Sequence, residues 1–151
     1  MIEVEVYADH LPPAGVRRVT RWVLTRLEVD DIRVRVGSTQ HWYHHGHFYG
    51  CAEGDLLLAY VPLEINGVGH DRGLRGGPPV IFPADWRESL VCILAHEGTH
   101  ARQYRAGPRT KPYTQNRRGK IVKVNGRMFS EVEAEWAEYR YLKWWRERRA
   151  P

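Results

Sequence analysis

Residues 93–103, ILAHEGTHARQ, set two histidines four positions apart around a glutamate, inside an otherwise apolar run. Two imidazoles can face the same way there only if the segment is helical. At 3.6 residues per turn, positions 96 and 100 fall about 40° apart in projection and about 6 Å apart along the axis. Ring nitrogens so placed can converge on one ion, while Glu97, about 100° round from His96, stands beside that ion rather than under it. Zinc accepts neutral imidazole nitrogen at about 2.0–2.1 Å, and a catalytic zinc keeps three protein ligands so that water can hold a fourth position. The alternative reading is that His96 and His100 are satisfied histidines of an ordinary core or surface helix.

A helix buried enough to carry that motif needs a core around it. The chain has 151 residues, 42% hydrophobic and 27% charged, a composition that folds rather than stays disordered and is long enough for one domain without disulfides. One domain over residues 1–151 is therefore expected. The opening MIEVEVYADHLPP has acids among its first apolar residues and no basic region before an apolar stretch, unlike a secretory signal. No run reaches transmembrane length. The only cysteines are Cys51 and Cys92, compatible with reduced thiols. A soluble, cytoplasmic protein without a membrane partner is the expectation.

IEVEVYA (2–8) alternates apolar and acidic residues and reads as a strand. Val16, Val19, Trp22, Val23 and Leu27 recur at helical spacing, which predicts a helix from about Pro13 to Glu28. IRVRV (32–36), residues 41–50 and DLLLAYVPL (55–63) read as three further strands, the last two joined through the CAEG turn. The glycine- and proline-rich residues 66–79 read as a loop, and VIF (80–82) as a short strand. Asp85 with Glu88 has the spacing of a capping box, predicting a helix from about Trp86 to Arg105 that Gly107 and Pro108 end. KIVKVNGRMF reads as a hairpin turning at Asn125 and Gly126. Ser130 with Glu133 then opens a final helix to about Arg149.

That final helix offers the missing ligand. In FSEVEAEWAEYRY, Glu131 can complete a metal triad, and Glu135, one turn on along the same face, can accept the second N–H of a liganding histidine. Acids in a first helical turn also have a purely electrostatic reason to be there, through the helix dipole. Together, His96-Glu97-Gly98-Thr99-His100 and Glu131-x-x-Ala134-Glu135 resemble the gluzincin class of zinc metallopeptidases, closest to small bacterial and phage-type domains of that class. The resemblance covers residues 85–142 directly. It implies zinc held by His96, His100 and Glu131, with Glu97 as general base and Glu135 behind a liganding histidine. It also implies a residue that donates to the developing oxyanion, for which Tyr139 is chosen over Tyr104 and Tyr113. Gly98 departs from a good helix former and is expected to permit close packing or substrate approach.

Other features carry blander explanations. His41, His44, His45, His47 and Cys51 crowd one stretch, but in a strand His44 faces away from the others, which suits a histidine and aromatic wall better than a second metal site. Cys92, one turn before His96, reads as a small buried hydrophobe. Trp144 and Trp145 are adjacent and cannot both face inward, so one of them is expected at the surface, where it could mark a partner or oligomer contact. Residues 1–75 carry eight basic against ten acidic side chains and residues 76–151 carry fifteen against eight; from Arg102 to Arg127 there are nine basic residues and no acid. Such a block can attract nucleic acid, or can be a solvated loop and hairpin.

The sequence therefore predicts an α+β, minimal zincin-like domain. A small twisted mixed sheet packs on an N-terminal helix and an active-site helix, and a C-terminal helix carries the third ligand. The expected activity is zinc-dependent hydrolysis of peptide bonds in a peptide or protein substrate, an extended peptide adding to a sheet edge formed by the 55–63 strand or by VIF. The alternatives are a zinc-stabilised binding module that cleaves nothing, and a DNA-associated protease using the 102–127 block. The second commonly takes a third histidine, which no residue after His100 supplies.

Overall fold

The computed structural model describes residues 1–39, 50–53, 55–62, 77–79, 81–105, 114–115, 121–124 and 127–148, with the backbone alone at 39, 50–53, 62, 114–115, 121–124 and 127–132. Alternation builds the sheet. In β1 (Ile2–Val6), β2 (Ile32–Thr39) and β4 (Leu56–Pro62), every second residue turns to one face. Ile32, Val34 and Val36 of β2 and Leu57, Ala59 and Val61 of β4 are buried there. On the other face Arg35 pairs with Glu5 at 3.6 Å. β1 and β2 run parallel with Val4 beside Val34, and β2 and β4 run parallel with Val34 beside Leu57. A parallel pair needs a crossover, and α1 (Pro13–Arg26) supplies the first.

Several expectations are corrected. α1 stops at Arg26 rather than Glu28, because Glu28 turns left-handed at φ 59° and the N–H groups of Glu28 and Val29 return to the carbonyls of Thr25 and Leu24. Those two bonds are the double closure of a Schellman motif, here without its usual glycine. Residues 50–53, read as strand end and turn, are themselves a strand, β3 (Gly50–Glu53), antiparallel to β4 with Glu53 opposite Leu56. The sheet order is thus β1-β2-β4-β3. The 55–63 strand lies inside the sheet with both ladders used, so it cannot offer an edge. Nor can VIF: residues 81 and 82 form no strand, and Phe82 is 60% exposed. The expected strand over 41–49 and the loop over 66–76 lie outside the described residues.

α2 (Trp86–Arg105) begins as predicted, and Gly107 and Pro108, expected to end it, lie outside the described residues. Glu88 donates its backbone N–H to Asp85 Oδ1 at 2.9 Å, and its own carboxylate accepts the Ala84 N–H at 3.0 Å. Residues 88–96 are all buried, since the helix packs on β3, β4 and α1 and on the C-terminal strand and helix over residues 127–148. Gly98 faces α1: a Cβ there would lie 2.6 Å from Leu27 Cδ1 and 3.0 Å from Leu24 Cδ2. Close packing, one of the two expected reasons for this glycine, is therefore its structural role.

A second sheet, β5 (Thr114–Gln115), β6 (Ile121–Val124) and β7 (Arg127–Ser130), is antiparallel throughout. β5 falls in a segment read as loop. Val124 opposite Arg127 places the hairpin where Asn125-Gly126 predicts it. β7 leads directly into α3 (Glu131–Arg148), which runs antiparallel to α2: Arg146 donates to Glu88 Oε1 at 2.7 and 3.1 Å near one end, and Gln103 donates to Glu133 at 3.1 Å near the other. Trp145 is buried, edge-on to Trp22 at 5.2 Å, while its neighbour Trp144 is 47% exposed. None of the described helices is long and apolar enough to cross a membrane. Of the basic block, Arg102 pairs with Glu133 at 3.6 Å and Arg105 binds the carbonyls of Asp30 and Asp31.

Two substitutions test this packing. Arg146→Ala strands a buried Glu88 whose partner is itself 39% exposed, and chemical denaturation should show a loss of about 2 kcal/mol, below that of a fully buried pair. Gly98→Ala gains about 1 kcal/mol of helix propensity but overpacks Leu24 and Leu27 by more. Its net effect in the same measurement should be a loss of about 1 kcal/mol, opposite in sign to propensity alone.

Candidate metal centre

The central turn of α2 presents its two histidines to α3. The His96 and His100 rings meet edge to face with centroids 4.7 Å apart, and their Nε2 atoms are 3.1 Å from each other. Both residues are buried, at 6% and 5% exposure. Thr99 donates its hydroxyl to the Ala95 carbonyl at 2.7 Å, satisfying a buried polar group within the helix. Glu97 is half-buried, the least enclosed residue between Leu94 and Ala101.

The hydrogen-bond partners determine which ring nitrogens carry protons. The Glu133 carboxylate is an acceptor, so Gln103, 3.1 Å away, turns its NH2 toward it and its carbonyl oxygen toward His100 Nδ1 at 2.9 Å. His100 therefore carries its proton on Nδ1 and presents a lone pair from Nε2. His96 Nδ1 lies 3.6 Å from Glu138 Oε1 and 3.8 Å from Glu135 Oε1. Those are ion-pair rather than hydrogen-bond distances, but two carboxylates attract an N–H and repel a lone pair. With that tautomer His96 Nε2 also presents a lone pair; with the other, its Nε2–H donates to His100 across the 3.1 Å gap. The junction therefore suits either a proton or a metal ion.

The geometry fits a metal. Two nitrogens 3.1 Å apart, each about 2.05 Å from an ion, subtend about 98° at it, close to the tetrahedral angle that zinc favours. On the other side of the same ring, buried His96, Glu135 and Glu138 bring ligand atoms within 4.8 Å of one another, a group that could hold a metal ion. Both ring nitrogens of His96 thus lie near groups that could hold a cation.

The predicted site residues divide as follows. His96, His100 and Glu135 come together, with Glu97 next in sequence to the first. Glu131 is the first residue of α3, and its side chain lies outside the described residues. Tyr139 stacks edge-on to Trp136 at 5.7 Å under the Lys143 ammonium at 5.4 Å; its described contacts do not include either imidazole. Tyr104 is half-buried at the end of α2. Tyr113 and the histidines at 41–47 lie outside the described residues, as does the Cys51 side chain. Cys92 is fully buried, and desolvation, reinforced by Glu138 and Glu88, pushes its thiol well above the usual range. It is the small hydrophobe the sequence suggests and no thiolate ligand.

Glu138 and Gln103 were not anticipated. Glu138 follows Glu135 by three residues and shares its face, and the residues around that face, Ala134, Ala137 and Leu142, are apolar. An acid inside an apolar helical stripe was the available signal. Gln103 belongs to no motif and declares itself only through its partners.

No protein-family model matches this chain, and searches of curated proteins and of solved structures find no match either. Gln103→Leu removes the acceptor that fixes the His100 tautomer, and should weaken zinc binding by about tenfold, measured by competition with a chromogenic chelator.

Proposed function

We propose that the chain is a zinc-dependent peptide hydrolase whose ion is held by the Nε2 atoms of His96 and His100, with Glu131 as the third ligand. The observation that carries this reading is the meeting of the two Nε2 atoms 3.1 Å apart, with Gln103 behind His100 Nδ1 and Glu138 and Glu135 behind His96 Nδ1. A zinc ion at that position supplies a Lewis acid that polarises a peptide carbonyl and lowers the pKa of water. Glu97 has the reach for general base: it adjoins His96 in sequence yet is the residue of this turn open to solvent. It takes the proton of the attacking water and returns it to the leaving amine. Glu135 stands behind His96 and favours the Nδ1–H tautomer.

β3 is the strand that suits substrate. It is the outer strand of the sheet next to α2, and among the described residues only its β4 side is paired. An extended peptide adding there would lie alongside the helix that carries Glu97. The tyrosine expected to serve the oxyanion is left unassigned, since Tyr139 packs elsewhere.

One observation favours a second reading. Glu135 and Glu138 are only 2% and 3% exposed, so an ion bound between them and His96 Nδ1 would be enclosed and structural, and the domain a zinc-stabilised binding module. Metal analysis and peptide-library cleavage separate the two. The hydrolase reading expects one zinc per chain, lost in His100→Ala, and cleavage reduced by at least about 100-fold in Glu97→Gln with zinc retained. Zinc retained in His100→Ala, with no cleavage by the parent chain, would establish the enclosed site instead.

A further inference from the structure

A groove of about 240 Å³ runs where α2, α3 and the end of α1 meet, lined by buried Leu27, Ala137 and Tyr141 and by exposed Arg102, Arg140 and Trp144. Neither histidine of the metal centre lines it. Its volume is below the roughly 300–1,000 Å³ of a drug-sized ligand's site and leaves room for one planar ring system. Trp144 is 47% exposed, yet its ring is held against Tyr141, with centroids 5.1 Å apart and a tilt of 55°. Tyr141 meets Trp22 edge-on at 6.3 Å, and Trp22 meets Trp145 at 5.2 Å. The exposed indole is thus the outer end of a packed aromatic row. A ring so held has already lost rotamer freedom, which lowers the cost of stacking a ligand on it.

Cations border the row. Arg26 lies over Trp22 at 4.2 Å, and Arg148 lies over Trp145 at 3.7 Å. A guanidinium stacked by its face still directs its N–H fork outward in its own plane, where phosphate oxygens can meet it. Burial raises the Tyr141 phenol above its usual range, and Arg102, Arg26 and Arg140 act against that shift, ahead of the one opposing carboxylate, Glu28. The acid lining the groove, Glu133, accepts from Gln103 and lies 3.6 Å from Arg102, both charged side chains being about half exposed; such an exposed pair is weak and open to competition. Positions 140 and 148 are about 12 Å apart along the helix, so the cations are strung beside the aromatic row rather than gathered at one point. That suits a chain of phosphates better than a single one, and an acidic peptide would leave the indole unused. We infer that this face binds single-stranded nucleic acid, with a base stacked on Trp144 over the groove and the neighbouring phosphates on Arg102, Arg140 and Arg148. It draws on all three described helices and differs from the basic block of the sequence, whose Arg105 is held by the carbonyls of Asp30 and Asp31. It shares no residue with the proposed zinc ligands, so zinc content and oligonucleotide binding are separate readouts.

Fluorescence anisotropy of a labelled oligothymidylate of about 12 nucleotides, titrated with the full chain, tests this. The parent should bind, with an affinity that falls as salt rises. Trp144→Ala should weaken binding about 10-fold or more, and Trp144→Phe should recover part of the loss. Arg140→Gln should reduce the slope of log affinity against log salt by about 0.7. Affinity within about twofold of the parent in both Trp144→Ala and Arg140→Gln would overturn the inference and place any binding elsewhere on the chain. Equal affinity for the duplex of the same sequence would overturn it too, since a paired base cannot stack on the indole. So would displacement of the oligonucleotide by polyglutamate at equal charge concentration, which would point to an acidic protein partner, and so would a parent chain that does not bind the oligonucleotide at low salt.

Discussion

The antiparallel contact between α2 and α3 is what the remainder of the molecule is arranged to hold. Polar pairs mark its register along its length: Glu88 with Arg146, His96 with Glu138 and Glu135, Gln103 and Arg102 with Glu133. The apolar residues between them, such as Ala95, Ala134 and Ala137, are small and similar, and on their own would tolerate sliding by a turn. The polar pairs would not. Any slip would leave a buried carboxylate opposite alanine or leucine, at several kcal/mol for each orphaned charge.

This division explains what could be read in the sequence. Features set by neighbouring residues were legible: the start of α2 from the Asp85 and Glu88 spacing, the hairpin from Asn125-Gly126, the opposite fates of Trp144 and Trp145, and the imidazole pair from a spacing of four. Features set by distant partners were not. That β4 lies inside the sheet depends on β2 and β3 pairing with it from both sides, and nothing within Leu56–Pro62 records this. The end of α1 was misplaced because Glu28 takes a left-handed conformation normally signalled by glycine. Glu138 is not legible in the sequence because an acid on an amphipathic helix is usually at its solvent face, whereas this one is buried at the contact with α2.

The chain of donors and acceptors running from Glu133 through Gln103, His100 and His96 to the α3 acids has a simple asymmetry. Gln103 donates to Glu133 and accepts from His100, whereas the bridge between the two Nε2 atoms takes either an N–H of His96 or a cation shared by both rings. A metal ion at that junction would be bound by the folded arrangement and not by the unfolded chain. Its binding free energy therefore adds to the stability of the helix pair. The site and the fold are in this sense one equilibrium.

Successive residues of the same helical turn serve different neighbours because each is rotated about 100° from the last. His96 is turned to α3 and its acids, Glu97 to the partly open side, Gly98 to Leu24 of α1 and to Leu27 just past its end, and His100 returns to the direction of His96. The close approach of Leu24 and Leu27 at Gly98 limits the rotation of α2 about its axis, since a side chain there would have to displace them. That limit is what keeps the imidazoles aimed at the α3 carboxylates while Glu97 stays within reach of water. A glycine in the middle of a helix, unfavourable by propensity alone, is therefore part of how the pair of histidines is aimed.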